Sequence, residues 1–223
     1  VATDVPGAYV PSFYDVHYNA DGTVAAVEPN ESGIPAHVNA AVVHDFDAAP
    51  FPTRPVVPYV DTVHDRITLE IMRGCVRGCR FCHAGLTRRP ARFRSVDTLM
   101  RQAWESYRAT GYDEIAISSL SSSDHPHLRE LLQRLCDEFM PLRVNVSLSS
   151  LRVNDQLSQI PALAGQVRKS GLTLAVEAAT DRLRRVINKD ITNEDLFNGV
   201  EEAYRAGWNL VKLYFMIGLP TET

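Results

Sequence analysis

Cysteine is scarce in this chain of 223 residues: there are four, and three of them fall between positions 75 and 82. So few thiols in so long a chain do not make a disulfide framework, and a reducing, cytoplasmic setting fits better, with thiolates free to hold metal. Long apolar runs are also missing. None approaches the roughly 20 residues that a bilayer-crossing helix needs, and no secretory leader is visible. The chain opens at Val1, without a methionine and inside ordinary globular sequence, which reads as a piece of a longer protein. Acid is absent from one region in particular. Residues 73–94 carry seven arginines (73, 77, 80, 88, 89, 92 and 94) and no Asp or Glu, so a net charge of −4 leaves −11 on the rest. A basic patch on an acidic body points to a local anionic ligand rather than to general nucleic-acid affinity. With 45 % apolar residues the chain can still bury one large domain, or a domain with an appendage.

Two textures divide the chain. Within residues 1–66, "YDVHYNADGTVAAVEP" alternates polar and apolar residues around Asn19-Ala20-Asp21-Gly22, which predicts a β-hairpin. The proline-rich stretch between Pro50 and Pro58 predicts an extended connector. From residue 67 the pattern becomes strand, loop, helix, repeated. Strands are expected at 67–74, 113–119, 142–150, 172–179 and 209–220, and helices at 95–111, 127–139, 155–171 and after Thr192. Apolar strands alternating with helices of ten to fifteen residues define βαβ units and a parallel sheet, closing by right-handed crossovers into a barrel or part of one. The expected fold is α/β: a partial (βα)6 TIM-like barrel over 67–223, ending after its fifth strand, preceded by a β-rich linker over 1–66. An open sheet edge at that point would be a liability, so at least one further βα unit is expected in the parent protein.

The chemistry concentrates in "RGCVRGCRFCHAG" (73–85), with the spacing Cys75-x3-Cys79-x2-Cys82 directly after the first of these strands. Three thiolates in one short loop can wrap a single soft metal centre. Zinc sites usually take four ligands as two separated pairs, and no second pair exists here. His83 is a conceivable fourth ligand, but its place beside Cys82 is poor for closing a tetrahedron. A [4Fe–4S] cluster held by three cysteines keeps one iron open for another ligand.

This motif, with the aromatic Phe81 just before its last cysteine, resembles the signature of the radical SAM superfamily. The resemblance implies that Cys75, Cys79 and Cys82 bind the cluster and that S-adenosylmethionine chelates the remaining iron. Reductive cleavage would then release a 5′-deoxyadenosyl radical, with Phe81 near the adenine and flavodoxin or ferredoxin as the kind of reductant. The small-residue segment after the second strand offers Ser119 and Ser121 for the methionine end, although the usual Gly-Gly-Glu is missing. Ser149 and Arg152 at the end of the third strand would reach the ribose or the carboxylate. Glu177, an acid in an otherwise apolar fourth strand, matches a polar site position. Gly218 and Pro220 would shape the turn after the fifth strand. Over nearly its full length, through "SLSSLR", "VINKDIT" and "VKLYFMIGLPTET", the chain is similar to cobalamin-binding radical SAM proteins with an upstream cobalamin domain. Cobalamin is therefore implied on a domain outside this sequence, joined through 1–66. The arginines would then help hold an anionic cluster, the methionine carboxylate or an anionic substrate. The competing reading is a metal-stabilised module that binds nucleic acid without radical chemistry.

Several features have plainer readings. Asp15-x-His17 lacks the glycine of a cobalt-ligating motif, having Ala20 in that place, and belongs to the hairpin. Cys136 lies on the apolar face of its helix and reads as core. His125 and His127 read as surface residues, and Trp104 and Trp208 as packing.

Overall fold

The computed structural model describes residues 4–60, 62–148 and 171–223. Ser149, Arg152 and, apart from Gly171, the helix expected over 155–171 lie outside the described residues. The chain divides into two compact units, Val1–His44 and Asp45–Thr223.

In the first unit, β1 (Tyr14–Tyr18) and β2 (Val24–Pro29) pair antiparallel. Their turn closes on Asn19, whose N–H donates to the Thr23 carbonyl at 2.8 Å, with Gly22 at φ 82° as the left-handed position demands. His17 sits on this hairpin with Nε2 3.5 Å from Glu28, as a strand residue.

In the second unit, β3 (Ile67–Glu70), β6 (Glu114–Ser118) and β7 (Asn145–Leu148) form a parallel sheet in the order β3-β6-β7. The strand expected over 67–74 is in fact broken at Ile71. Its second part, β4 (Met72–Arg73), turns away to pair antiparallel with β5 (Arg92–Phe93), so the cysteine loop is closed at its base by a two-residue ribbon. β8 (Leu172–Glu177) and β9 (Val211–Phe215) form a second parallel pair. The third expected strand is shorter at its start because Pro141 sits in a 3-10 turn over Met140–Leu142.

Helix α2 (Val96–Thr110) follows the cysteine loop, which holds the short α1 (His83–Thr87). Ser95 caps α2 by accepting the Thr98 N–H, and Gly111 ends it at φ 70°. Helix α3 (Leu128–Phe139) comes after β6. The buried faces of the two helices, Leu99, Met100 and Ala103 with Leu128, Leu131, Leu132, Leu135 and Phe139, join Ile67, Leu69, Ile115, Ile117 and Val146 in one core. Each fully buried aliphatic there contributes about 1.5–3 kcal/mol. Cys136 belongs to this core, and burial pushes its thiol up to about 11. Trp104 packs at 4.5 Å on the Phe139 ring, as a packing residue should.

Two helices follow β8: α4 (Asp181–Val186), unforeseen in the sequence reading, and α5 (Asn193–Arg205). Thr192 starts α5 with a full capping box, its side chain and N–H exchanging bonds with Asp195. Leu196, Ala203 and Trp208 then cover Leu172, Leu174 and Val176. Leu148, at the end of β7, packs against both cores and links the two parallel sheets. Among the described residues no helix is long and apolar enough to cross a membrane.

With the apolar residues of β3 and β6 turned to the helices, the opposite sheet face is left to Thr68, Ala116, Ser118 and Ser147. These line an open cleft of about 650 Å3 together with Arg66 and Glu114. Arg66 Nη1 donates to Glu114 Oε1 at 3.0 Å and Ser147 Oγ to the same oxygen at 2.8 Å, so this polar face is internally satisfied.

Candidate cofactor site at the cysteine loop

The loop bearing Cys75, Cys79 and Cys82 springs from the carboxyl end of the first parallel strand, where α/β barrels place their chemistry. Gly74 turns the chain into it at φ 89°. A Cβ there would come within 2.5 Å of the Arg88 carbonyl oxygen, so only glycine lets the two ends of the loop meet. All three cysteines are partly exposed and free. Cys75 Sγ accepts the Arg77 N–H at 3.4 Å, and Cys82 Sγ accepts the Gly85 N–H at 3.3 Å as the cap of α1. Backbone donors aimed at sulfur are one means by which proteins tune thiolate-bound clusters. Among the described residues no three His, Cys, Asp or Glu side chains are gathered closely enough to hold a metal ion. The donor set nevertheless fits a soft, anionic centre: three thiols, two of them already receiving N–H donors, on a loop without a carboxylate.

Two neighbouring connections hold this loop. After β6, the serine run turns through a 3-10 segment over Ser122–Asp124. Asp124 receives Arg77 in a two-pronged pair, Nε to Oδ2 at 3.0 Å and Nη2 to Oδ1 at 2.5 Å, which raises the guanidinium pKa further. After α4, Asn188 Nδ2 donates to the Gly78 carbonyl at 2.7 Å, and the Arg80 N–H donates to the Ile187 carbonyl at 2.9 Å. Arg80 Nη1 reaches the Val186 carbonyl at 2.5 Å, satisfying the end of α4. Asn188 has φ 54°, a left-handed position that asparagine tolerates better than most residues.

The arginines of 73–94 are therefore largely engaged with the protein itself. Arg73 pairs with Glu70 at 2.6 Å, and Arg89 donates to the Gly85 and Arg77 carbonyls. Arg92 donates to the Pro90 carbonyl. Arg94 is buried, stacks 4.2 Å over the Phe46 ring and donates to the Phe46 and Ala49 carbonyls, and burial pushes its pKa down. Among the described residues of 73–94, Arg88 is the guanidinium left to solvent. It lines an open cleft of about 630 Å3 beside the cysteine loop, with Thr68, Glu70, Arg73, Ser118 and Ser119.

The other expected site residues fall as follows. Phe81 stands on the loop at 39 % exposure, a ring open to a ligand. Ser119 borders the cleft, and its Oγ meets Ser122 Oγ at 2.8 Å. Ser121 is buried and donates to Asp124 Oδ2 at 2.7 Å. Glu177 ends β8 at φ 69°, and its carboxylate lies 3.4 Å from Lys189 Nζ, the partner a half-buried acid needs. Gly218 turns at φ 80°, and the Gly218 and Leu219 N–H groups both donate to the Glu222 carboxylate. His125 is not on the surface. It is 1 % exposed, with Nε2 3.0 Å from the Arg94 carbonyl, because the connection after β6 folds under the loop. Its neighbour His127 is exposed. Sequence reasoning missed Asp124 and Asn188. The one signal for Asp124 was an acid ending a serine run, and nothing local marked Asn188.

Parallel βα units with a three-cysteine loop on the first strand define a class of cofactor-dependent α/β enzyme cores. A family profile described as the Radical SAM superfamily matches residues 69–223, and the chain belongs to that superfamily. It is 41 % identical over 158 residues to an uncharacterised protein of Methanocaldococcus jannaschii, covering 70 % of this chain and 33 % of that protein. It is 28 % identical over 167 residues to a probable threonylcarbamoyladenosine tRNA methylthiotransferase of Archaeoglobus fulgidus, covering 70 % and 38 %. The chain thus spans little more than a third of the curated relatives it matches. In fold it is similar to the cobalamin-dependent S-adenosylmethionine radical enzyme OxsB with aqua-cobalamin and S-adenosylmethionine bound. The TM-score is 0.61 at 16 % identity, over 91 % of this chain and 29 % of that one. It is also similar to the radical S-adenosylmethionine methyltransferase TsrM of Kitasatospora setae with tryptophan and a SAM analogue. Here the TM-score is 0.59 at 15 % identity, over 71 % and 32 %.

Proposed function

We propose that residues 67–223 are the core of a radical SAM enzyme in which Cys75, Cys79 and Cys82 hold a [4Fe–4S] cluster. The observation that carries this is the C-x3-C-x2-C loop at the carboxyl end of the first parallel strand, within the stretch that matches the superfamily. A cluster held there and reduced by a flavodoxin or ferredoxin would supply one electron for cleavage of S-adenosylmethionine into methionine and the 5′-deoxyadenosyl radical.

This chain's residues do the binding and orienting. Gly74 and the ribbon of β4 and β5 close the loop, while Arg77 and Arg80 pin it to its neighbours. Cys75, Cys79 and Cys82 would hold the cluster, and the N–H groups of Arg77 and Gly85 donate to two of these sulfurs. Phe81 offers a ring to the adenine. Ser119, at the cleft, and Ser121, through the loop it organises, serve the methionine end. Ser149 and Arg152 are assigned to the ribose or carboxylate, and Glu177, paired with Lys189 at the end of β8, is assigned to the same site. Cobalamin takes part from a domain outside this sequence, joined through residues 1–66, and the barrel belongs to the (βα)6 type. Both readings draw on the likeness to the cobalamin-dependent structures. The reaction class is transfer of a methyl or related group to an unactivated carbon of an anionic metabolite or RNA. It draws on the methyltransferase and methylthiotransferase among the similar proteins.

The nucleic-acid-binding alternative needs a set of free guanidinium groups, and the loop spends most of its arginines on internal partners. Anaerobic reconstitution tests the reading. Iron and sulfide near four per chain, with broad absorbance in the iron–sulfur charge-transfer region, are expected. Near-stoichiometric zinc without that absorbance, together with RNA binding that weakens steeply with salt, would favour the alternative.

A further inference from the structure

Arg77 touches the cysteine loop's chemistry in two ways. Its N–H donates to Cys75 Sγ at 3.4 Å, and its guanidinium crosses to the next connection and grips Asp124. Asp124 is itself held from its own segment. Ser121 Oγ donates to Oδ2 at 2.7 Å, and Ser119 Oγ accepts the Ser121 N–H at 3.2 Å while meeting Ser122 Oγ. The Asp124 side chain is 7 % exposed and that of Arg77 33 %. A carboxylate buried this far is tolerated because it is paired and hydrogen-bonded. The pair is neutral overall and stands beside a sulfur. A centre held by three thiolates becomes more negative when it takes up an electron, so an uncompensated positive charge at this place would favour the reduced form.

Resting on the cluster reading above, we propose that Asp124 is a positioning residue that sets the reduction potential of the group on Cys75, Cys79 and Cys82. It does so by cancelling the positive charge of Arg77 close to Cys75. Ser119 and Ser121 then serve the site through Asp124 as well as by their place near the cleft. The low potential that S-adenosylmethionine cleavage requires is kept low by a carboxylate on the second βα connection.

The test is the midpoint potential of the full-length protein, reconstituted anaerobically with iron and sulfide and titrated with EPR detection. Asp124→Asn removes the carboxylate that grips Arg77, leaving only the weaker charge of Asp190 to oppose it, and its potential moves to less negative values. Arg77→Met removes the positive charge opposite Asp124, and its potential moves the other way. The double variant removes both charges and returns toward the wild-type value. A purely structural role would lower cluster content in all three without opposite shifts in potential. Equal potentials in wild type and both single variants, or shifts of one sign, overturn the inference. Should Asp124→Asn fail to fold, Arg77→Met alone decides, with an unchanged potential as the contradicting result. A wild-type protein that assembles no cluster overturns the cluster reading and this inference together, which distinguishes that failure from the others.

Discussion

The helix-backed core and the cysteine loop are neighbours built on opposite principles. In the core around Leu69, Ile117, Leu131 and Phe139 the side chains are held by burial, each of them fully enclosed. The loop over residues 73–94 encloses little apolar surface and is held by individual polar contacts to Asp124, Val186, Ile187 and Asn188. Burial is non-directional, whereas each polar contact fixes one atom, so the core supplies stability and the loop supplies placement. Substitutions in the two regions should separate these properties.

The largest effect on stability belongs to the core. Leu131→Ala should lower the free energy of unfolding by about 2–5 kcal/mol, read from urea titration. Cys79→Ala on the loop should leave the midpoint almost where it was while abolishing cluster assembly. Equal losses would erase the distinction between the regions.

Two buried titratable groups should bracket the pH range in which this unit is stable. Burial pushes the Cys136 thiol from 9.0 up to about 11, so the folded state favours the neutral form. Stability should be full below about pH 9 and fall by roughly 1.4 kcal/mol per unit until the folded thiol ionises near 11. Burial pushes the His125 imidazole below its usual 6.5. Its contribution is full above about pH 6.5 and is lost as the pH falls through the folded value. Urea midpoints of wild type, Cys136→Ala and His125→Gln across pH 5–11 check both edges, each variant flattening its own.

A smaller effect is expected at the start of α5. Thr192→Ala breaks the capping box and should cost about 1 kcal/mol, measured by thermal unfolding. The smallest global effect should come from Asn188→Gly, which keeps the left-handed backbone while removing the donor to the Gly78 carbonyl. Hydrogen exchange should quicken in the loop and little elsewhere, with the unfolding midpoint changed by a few tenths of a kcal/mol. A global loss there would place the loop's contacts among those that hold the fold.

The same contrast explains what could be read in advance. Helices α2, α3 and α5 were legible because apolar residues recur at helical spacing, with Thr192 as the cap of α5. The metal-ligand spacing was legible because it is local. Helix α4 was overlooked because six residues show less than two turns of pattern, although Thr180 and Asp181 formed a start signal. The break at Ile71 was hidden inside a continuous apolar run, where strand periodicity cannot show a change of pairing partner. The partners of Arg77 and Arg80, like the burial of His125, depend on contacts between distant parts of the chain. Composition had instead marked those arginines as a charged patch.

The most direct measurement is 5′-deoxyadenosine formed from S-adenosylmethionine by the anaerobically reconstituted full-length protein with dithionite as reductant. The account predicts steady formation by the wild type and none by Cys75→Ala, Cys79→Ala or Cys82→Ala. Formation that persists unchanged in any of the three variants would contradict it.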